Sequence, residues 1–211
     1  FDKALKEPLI QTIKEHKAII FNGNGYSDEW LEEAARRGLP NLVSTVDALP
    51  HYMDPQNIAM FEKFRIYTKE EIASRTDILL ENYSKVINIE AMTMLDMTKK
   101  KLLPAAMEYG KKICDTAIAK KQLGLDASAE TKLAADLDSN TAKMYEAMQA
   151  LESKVNAAKE IGDVLECAKA YRSQVFSAMG DLRTYADQLE MLDHILILKD
   201  MGLSLQEIRA F

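Results

Sequence analysis

The most specific arrangement of polar and glycine residues lies between Asn22 and Asn41, where Asn-Gly-Asn-Gly at 22–25 precedes Tyr26 and the single tryptophan, Trp30. A glycine-rich loop that binds nucleotide phosphates also carries a lysine followed by serine or threonine, and this stretch lacks that pattern. Glycine and asparagine both allow positive φ, so the sequence predicts a tight reversal of the backbone. Contact of this loop with a ligand, or with the active site of a neighbouring subunit, is the alternative.

The other residue types that perform chemistry are scattered. His16, His51 and His194 form no Glu-x-x-His repeat, which argues against a di-iron bundle. Cys114 and Cys167 form no Cys-x-x-Cys pair, so a zinc site has no support, and both are predicted to be buried thiols of a cytoplasmic protein. We therefore predict neither catalytic nor metal-binding residues, and no cofactor in this chain.

Composition indicates a globular protein, with 47% apolar and 28% charged residues among 211. The net charge of −6 argues against a nucleic-acid surface. The longest apolar runs fall well short of the ~20 residues that a membrane span needs. No signal peptide is recognisable, and the absence of an initial methionine is consistent with a fragment of a longer chain.

Short elements are predicted for a head of residues 1–67. A first amphipathic helix should begin near Pro8, with the proline in its first turn. Ser27 is placed to cap a second helix that ends at Gly38, a typical glycine after a helix C-terminus. Ser44 and Asp54 have the positions of further helix caps, each before a short helix.

Residues 68–211 predict a body of long helices. Thr68 and Glu71 form a capping-box pattern, Pro104 should kink or end the first helix, and Gly124 and Gly162 mark turns. Apolar residues then recur at spacings of three, four and seven, which predicts an antiparallel bundle of three to four long helices. The fold class is all-α, with head and body expected in one compact unit. Small residues should line the helix contacts, namely Ala134, Ala135, Ala142, Ala147 and Ala168.

Longer motifs in the head carry a resemblance to a known family. Ile-Phe-Asn-Gly-Asn-Gly-Tyr-Ser-Asp-Glu-Trp at 20–30, Glu-Ala-Ala-Arg-Arg-Gly-Leu-Pro-Asn-Leu at 33–42 and Ser-Thr-Val-Asp-Ala-Leu-Pro at 44–50 closely resemble the region after the catalytic core of type III glutamine synthetases. The resemblance covers about residues 1–192. It implies the helical C-terminal region of a large oligomeric enzyme that joins ammonia to glutamate at the expense of ATP.

In that family the residues that bind metal, nucleotide and glutamate lie upstream of this region. The resemblance therefore implies that ATP and Mg²⁺ act only in the full-length enzyme, and that the partners are an upstream catalytic domain and other subunits of a homo-oligomer. The positions that carry the family signature, or that could form an interface, are Asn22, Gly23, Asn24, Gly25, Tyr26, Trp30, Arg37, Gly38, Pro40 and Asn41.

The last residues depart from the family pattern. Residues 189–211 are similar to a helical stretch of MerR-type regulators, with a glycine at 202 and a capping-box pattern from Ser204 to Glu207. The alternative function is accordingly a stand-alone helical interaction or dimerisation module, possibly of a transcriptional regulator. The longer and more residue-specific match favours the synthetase domain.

Overall fold

The computed structural model describes the backbone of residues 2–200 and the side-chain surroundings of residues 4–189. Within this range the chain forms α-helices joined by short turns, and no β-strand is present. The helices are α1 Asp2–Glu15, α2 Asp28–Arg36, α3 Thr45–Ala48, α4 Pro55–Lys63, α5 Lys69–Met97, α6 Leu103–Gln122, α7 Ser128–Lys159, α8 Val164–Ala170 and α9 Phe176–Asp200. The prediction of an all-α fold is confirmed.

Three antiparallel rods form the body. The first joins α5 to α6 through a π-helical turn at Thr98–Leu102, so that Pro104 lies at the start of α6 and the helix continues through it. The second rod is α7, and the third joins α8 to α9 through another π-helical turn, Tyr171–Val175. Since α7 packs against both α6 and α9, the long helices form the antiparallel bundle that the apolar spacing predicts.

The ends of these helices follow from local chemistry. At Thr68, the backbone N–H donates to Glu71 Oε2 at 2.8 Å, and the N–H of Glu71 donates to Thr68 Oγ1 at 3.3 Å, which confirms the capping box. Gly124 ends α6 with φ +72°, a conformation that favours glycine. Asp163 caps α8 by accepting from the N–H of Glu166 at 2.9 Å.

The main core lies between the three rods. Its fully buried residues include Leu151 and Val155 of α7, Val175 at the end of the second π-helical turn, and Leu182 of α9, all on the predicted seam, together with Ala91 of α5. A smaller cluster joins the head to the body, where Val46 and Leu49 pack against Leu80 of α5 and Ala168 of α8. The burial of these apolar residues holds α3 and the 3₁₀ turn Leu49–Met53 against the long helices.

The first two helices are arranged differently from α3 and α4. While α3 and α4 pack on α5, the helices α1 and α2 make no more than isolated contacts with the rods. The apolar residues of α1, Leu5, Leu9, Ile10 and Ile13, are all exposed. The division into a head of residues 1–67 and a body of residues 68–211 stays a prediction.

Two expectations about the helices are wrong. Pro8 lies inside α1 and not in its first turn. Its missing N–H leaves only the carbonyl of Ala4 without a helical partner, and in this exposed helix water can satisfy that group. In the middle of α6, Cys114 is exposed and not buried, because Ile113 takes the inward position and the next residue is rotated by about 100°.

Other inward positions were also assigned wrongly. Cys167 is only partly buried, and its Sγ donates to the carbonyl oxygen of Ala158 at 3.5 Å. Ala135 and Ala142 are exposed because Leu137 and Met144 occupy the inward face of α7. Small residues at 135 and 142 are thus not needed for close helix contact.

The predicted capping box from Ser204 to Glu207, and nearly all of the MerR-like stretch 189–211, lie outside the described side chains. Among the described helices, none combines the length and apolar character required to span a membrane.

Candidate functional site

The loop at 21–27 is closed by Asn24. Its side-chain Oδ1 accepts from the N–H of Tyr26 at 3.0 Å, and its carbonyl oxygen accepts from the N–H of Ser27 at 3.2 Å and from Ser27 Oγ at 2.9 Å. These bonds form a turn in which an asparagine side chain replaces a backbone acceptor. The predicted reversal is present, but Gly23 and Gly25 do not have positive φ, because Asn24 closes the turn through its side chain.

Gly23 is explained by the space around it and not by its backbone conformation. A Cβ atom built on this residue would lie 2.6 Å from two ring carbons of Phe21. Gly25 is less restricted, since a Cβ there would meet nothing within 4 Å. The close approach of the Phe21 ring therefore explains the first glycine of the motif and not the second.

Phe21, Trp30 and Arg37 form a stacked cluster under this loop. The Phe21 and Trp30 ring centroids are 4.5 Å apart with an interplanar angle of 32°. The guanidinium carbon of Arg37 lies 5.7 Å from the centre of the Trp30 ring, within the range of a cation–π contact. Two rings and a guanidinium thus join the segment before the loop to helix α2.

Arg37 also makes hydrogen bonds to both sides of the loop. Its Nη1 donates to the carbonyl oxygen of Ile20 at 2.6 Å and to that of Ala18 at 3.2 Å. Its Nε donates to Glu33 Oε1 at 2.6 Å, one turn earlier in α2. Because a guanidinium presents several donors in a fixed geometry, one side chain holds the incoming backbone against the helix.

Glu33 is the acidic member of this arrangement, and the sequence analysis did not single it out. Hydrogen bonds from Arg36, and next from Arg37, lower the pKa of its carboxyl group. The carboxylate therefore stays charged and keeps Arg37 oriented toward the loop. The spacing of four between Glu33 and Arg37 was the signal that could have identified the pair.

The C-terminal end of α2 explains Gly38. This residue has φ +75°, its N–H donates to the carbonyl of Ala35 at 3.0 Å, and the next N–H, of Leu39, donates to Ala34 at 2.9 Å. This is a Schellman motif with glycine at its usual place, as predicted. At the other end, Ser27 occupies the N-cap position, but its hydroxyl bonds Asn24 and Glu29 and makes no capping bond.

The signature residues fall into two groups by burial. Trp30 and Arg37 are half-buried within the stacked cluster, whereas Asn22, Tyr26, Pro40 and Asn41 are exposed. Tyr26 is 100% exposed. The described residues include no cluster of three or more His, Cys, Asp or Glu side chains able to hold a metal ion. The exposed signature residues therefore form part of the surface of the loop and of the segment that follows α2.

A family model described as "Glutamine synthetase C-terminal domain" matches residues 4–121 of this chain. The chain belongs to this family. The matched part runs from α1 to the end of α6, so it includes the loop, the stacked cluster and the first rod of the C-terminal domain.

Relatives extend the match over most of the domain. A glutamine synthetase of Butyrivibrio fibrisolvens is 43% identical over 190 residues, covering 89% of this chain and 27% of the relative. A type-3 glutamine synthetase of Dictyostelium discoideum is 31% identical over 196 residues, covering 90% and 26%. A glutamine synthetase of Bacteroides fragilis (strain YCH46) is 30% identical over 196 residues, covering 90% and 27%. The C-terminal domain thus spans about a quarter of the length of these relatives.

Proposed function

We propose that this chain is the non-catalytic C-terminal domain of a type III glutamine synthetase, and that it supports subunit assembly or shapes access to the active site. The observation that carries the proposal is the match to glutamine synthetases over 89% of the chain but 27% of the first relative's length. In the full-length enzyme the reaction is ATP-dependent ligation of ammonia to glutamate. ATP and Mg²⁺ are expected to bind the upstream part, in a cytoplasmic enzyme without nucleic-acid or membrane partners.

The exposed signature residues are the proposed contact points. Asn24 and Gly23 shape the loop, and Trp30 with Arg37 fixes it to α2, so their roles within the domain are accounted for. Tyr26 projects fully into solvent from this fixed base. A hydrogen-bonded turn that presents an exposed tyrosine is suited to contact with another protein surface, because a tyrosine side chain has few rotatable bonds and loses little entropy on binding.

The partner of this loop is proposed to be the upstream catalytic domain or another subunit of the homo-oligomer. We expect Tyr26→Ala in the full-length enzyme to lower glutamine formation or shift the oligomer to smaller species. Tyr145→Ala is the matched control, because Tyr145 is a half-exposed tyrosine on α7 outside the loop. Equal behaviour of the two variants, in both activity and oligomer mass, would refute the contact.

The intact mass of the native polypeptide tests the wider proposal. An antibody raised against this domain should detect a polypeptide several times larger than 23.8 kDa in the source cells. The purified 211-residue chain should show no glutamine formation from glutamate, ammonia and ATP. A native polypeptide near 23.8 kDa would instead support the stand-alone interaction module, and turnover by the purified chain would contradict a non-catalytic role.

A further inference from the structure

Helix α5 is apolar on two faces, and only one of them is covered. The inward face carries Ile72, Leu80, Ile87, Ala91 and Leu95, all buried against the head or the other rods. The second face, here called the α5 stripe, consists of Ile78, Leu79, Val86, Ile89, Met92 and Met97, whose exposed fractions lie between 43% and 63%. At 1.5 Å per residue the stripe is about 28 Å long. Lys85 lies among these residues, with its side chain 70% exposed and its Nζ 2.9 Å from Glu81 Oε2. An exposed face in which apolar side chains predominate is suited to protein contact.

The spacing of the stripe is that of a coiled-coil seam. Leu79 and Val86 are seven residues apart, and Ile89 follows three residues after Val86. Asn82 lies seven residues before Ile89, and Thr93 lies seven residues after Val86, so both occupy positions of the same seam. The Thr93 hydroxyl already donates to the carbonyl of Ile89 at 2.8 Å, so a helix that covers it would leave no unpaired donor. The stripe therefore fits another helix with matching apolar spacing.

A charged residue lies at each end of this seam along the helix. Arg75 stands at the N-terminal end, its guanidinium carbon 4.4 Å from the centre of the Tyr67 ring, and no carboxylate of the described residues lies within ion-pair distance of it. Asp96 stands at the other end, more than half exposed, with Lys100 at 2.6 Å. The two are 21 residues apart, three whole heptads, so they occupy the same seam position.

This pattern is self-complementary in one orientation. If a second helix of identical sequence lies antiparallel along the stripe, each Arg75 comes within one helical turn of Asp96 of the other copy, at both ends. A parallel pair in register would place Arg75 beside Arg75 and Asp96 beside Asp96. The antiparallel pair brings only Lys85 near its own copy, and each Lys85 is already ion-paired with Glu81 of its own helix at 2.9 Å. A twofold axis produces this reciprocity, because a residue that contacts another across the axis is contacted by it in return. We propose that the α5 stripe pairs antiparallel with the α5 stripe of a second copy of this chain.

The size of the stripe predicts a weak contact. Six such side chains, each about half exposed, present on the order of 500 Å² per copy, and a pair would bury on the order of 1,000 Å², near the lower limit for specific interfaces. The dimer should accordingly have a Kd in the micromolar range on its own. This contact supplies one surface for the assembly role proposed above, and it rests on that role for its place in a longer enzyme.

Charge reversal tests the pairing in the 211-residue chain. Sedimentation velocity over a concentration series should show a reversible dimer. Arg75→Glu and Asp96→Arg should each weaken dimerisation at least tenfold, and the double variant should recover most of the affinity. Lys112→Glu on α6, away from the stripe, is the matched control and should dimerise like the unmodified chain. Far-UV circular dichroism would confirm that all variants keep their helical content.

The orientation has its own test. In a chain with Cys114→Ser and Cys167→Ser, a short bismaleimide cross-linker should join the Val86→Cys variant, near the twofold axis, to its counterpart. It should not join the Leu79→Cys variant, because an antiparallel pair places the two copies of residue 79 about 20 Å apart along the axis. Cross-linking at both positions would overturn the antiparallel orientation.

The remaining outcomes are equally decisive. A chain that stays monomeric at 100 µM, or a dimer that charge reversal does not affect, would overturn the contact. Neither result would touch the assignment to a synthetase, which depends on the mass and activity of the parent enzyme. If another part of that enzyme covers the stripe, the Val86→Cys variant of the full-length enzyme will not be cross-linked to its counterpart, and the contact proposed here is wrong.

Discussion

Replacement of Gly23 by alanine should release the loop from α2 without disturbing the bundle. An alanine Cβ would lie 2.6 Å from the Phe21 ring, whereas carbon atoms in ordinary contact lie about 3.5–4.0 Å apart. The ring must therefore move by about 1 Å. The ring can move by rotating about its own side-chain bonds, and a shift of this size changes its contact with Trp30, whose ring centroid is 4.5 Å away. We expect Gly23→Ala to open the stacked cluster.

The cost follows from these contacts. Forcing extra volume into a packed group costs about 1–3 kcal/mol, and an aromatic pair contributes about 0.5–1.5 kcal/mol beyond its buried area. A local destabilisation of about 1.5 kcal/mol is therefore expected, which corresponds to a roughly tenfold higher population of the open loop. Gly25→Ala is the matched control, because a Cβ at that position meets nothing within 4 Å and the residue lacks positive φ.

Tryptophan fluorescence measures this change directly, since Trp30 is the only tryptophan in the chain. A urea titration of Gly23→Ala should show the fluorescence transition at lower denaturant than in the unmodified chain. The transition followed by circular dichroism at 222 nm should stay in place, because α1 and α2 make only isolated contacts with the rods. Identical fluorescence transitions for Gly23→Ala and Gly25→Ala would refute this explanation of the first glycine.

Three further changes have defined outcomes. Gly38→Ala should destabilise α2 by about 1–2 kcal/mol, because φ is +75° there, and an unchanged Trp30 fluorescence transition would contradict this. Thr68→Ala should lower the free energy of unfolding of the bundle by about 1 kcal/mol, measured by urea titration at 222 nm, and an unchanged transition would contradict a stabilising role of the capping box. Burial raises the pKa of Tyr171 above its ordinary value of 10.0, so the free energy of unfolding should fall as the pH rises above about 10. Tyr171→Phe should make this fall with pH less steep. At neutral pH the same variant should lose about 1 kcal/mol, because its hydrogen bond to Asn88 is removed.

Features set by neighbouring residues could be predicted from the sequence. The capping box at Thr68, the glycine ends at Gly38 and Gly124, and the long seam of α7 and α9 all depend on residues within a few positions of each other. In such cases the side chain that satisfies a backbone group, or the face that is buried, follows from helix geometry alone.

Features that join distant residues could not be predicted in this way. The carbonyl oxygens of Ala18 and Ile20 become partners of Arg37 only because the loop returns the chain to α2. Gly23 is explained by the ring of Phe21, and no spacing rule identifies that approach. Cys114 shows a smaller error of the same kind, since one residue of helical phase decides whether a side chain faces inward.

The π-helical turn at Thr98–Leu102 also sets which changes in chain length the first rod could accept. Buried positions on α5 and α6 recur at three, four or seven residues, but from Thr98 to Leu103 the interval is five. The turn accommodates this extra residue by widening, so that α6 continues with the same face inward. Deletion of a single codon for Lys99, Lys100 or Lys101 would shorten the interval to four and leave every core side chain facing inward. The same deletion at another place in the rod would turn all following residues by about 100° and expose the core of α6.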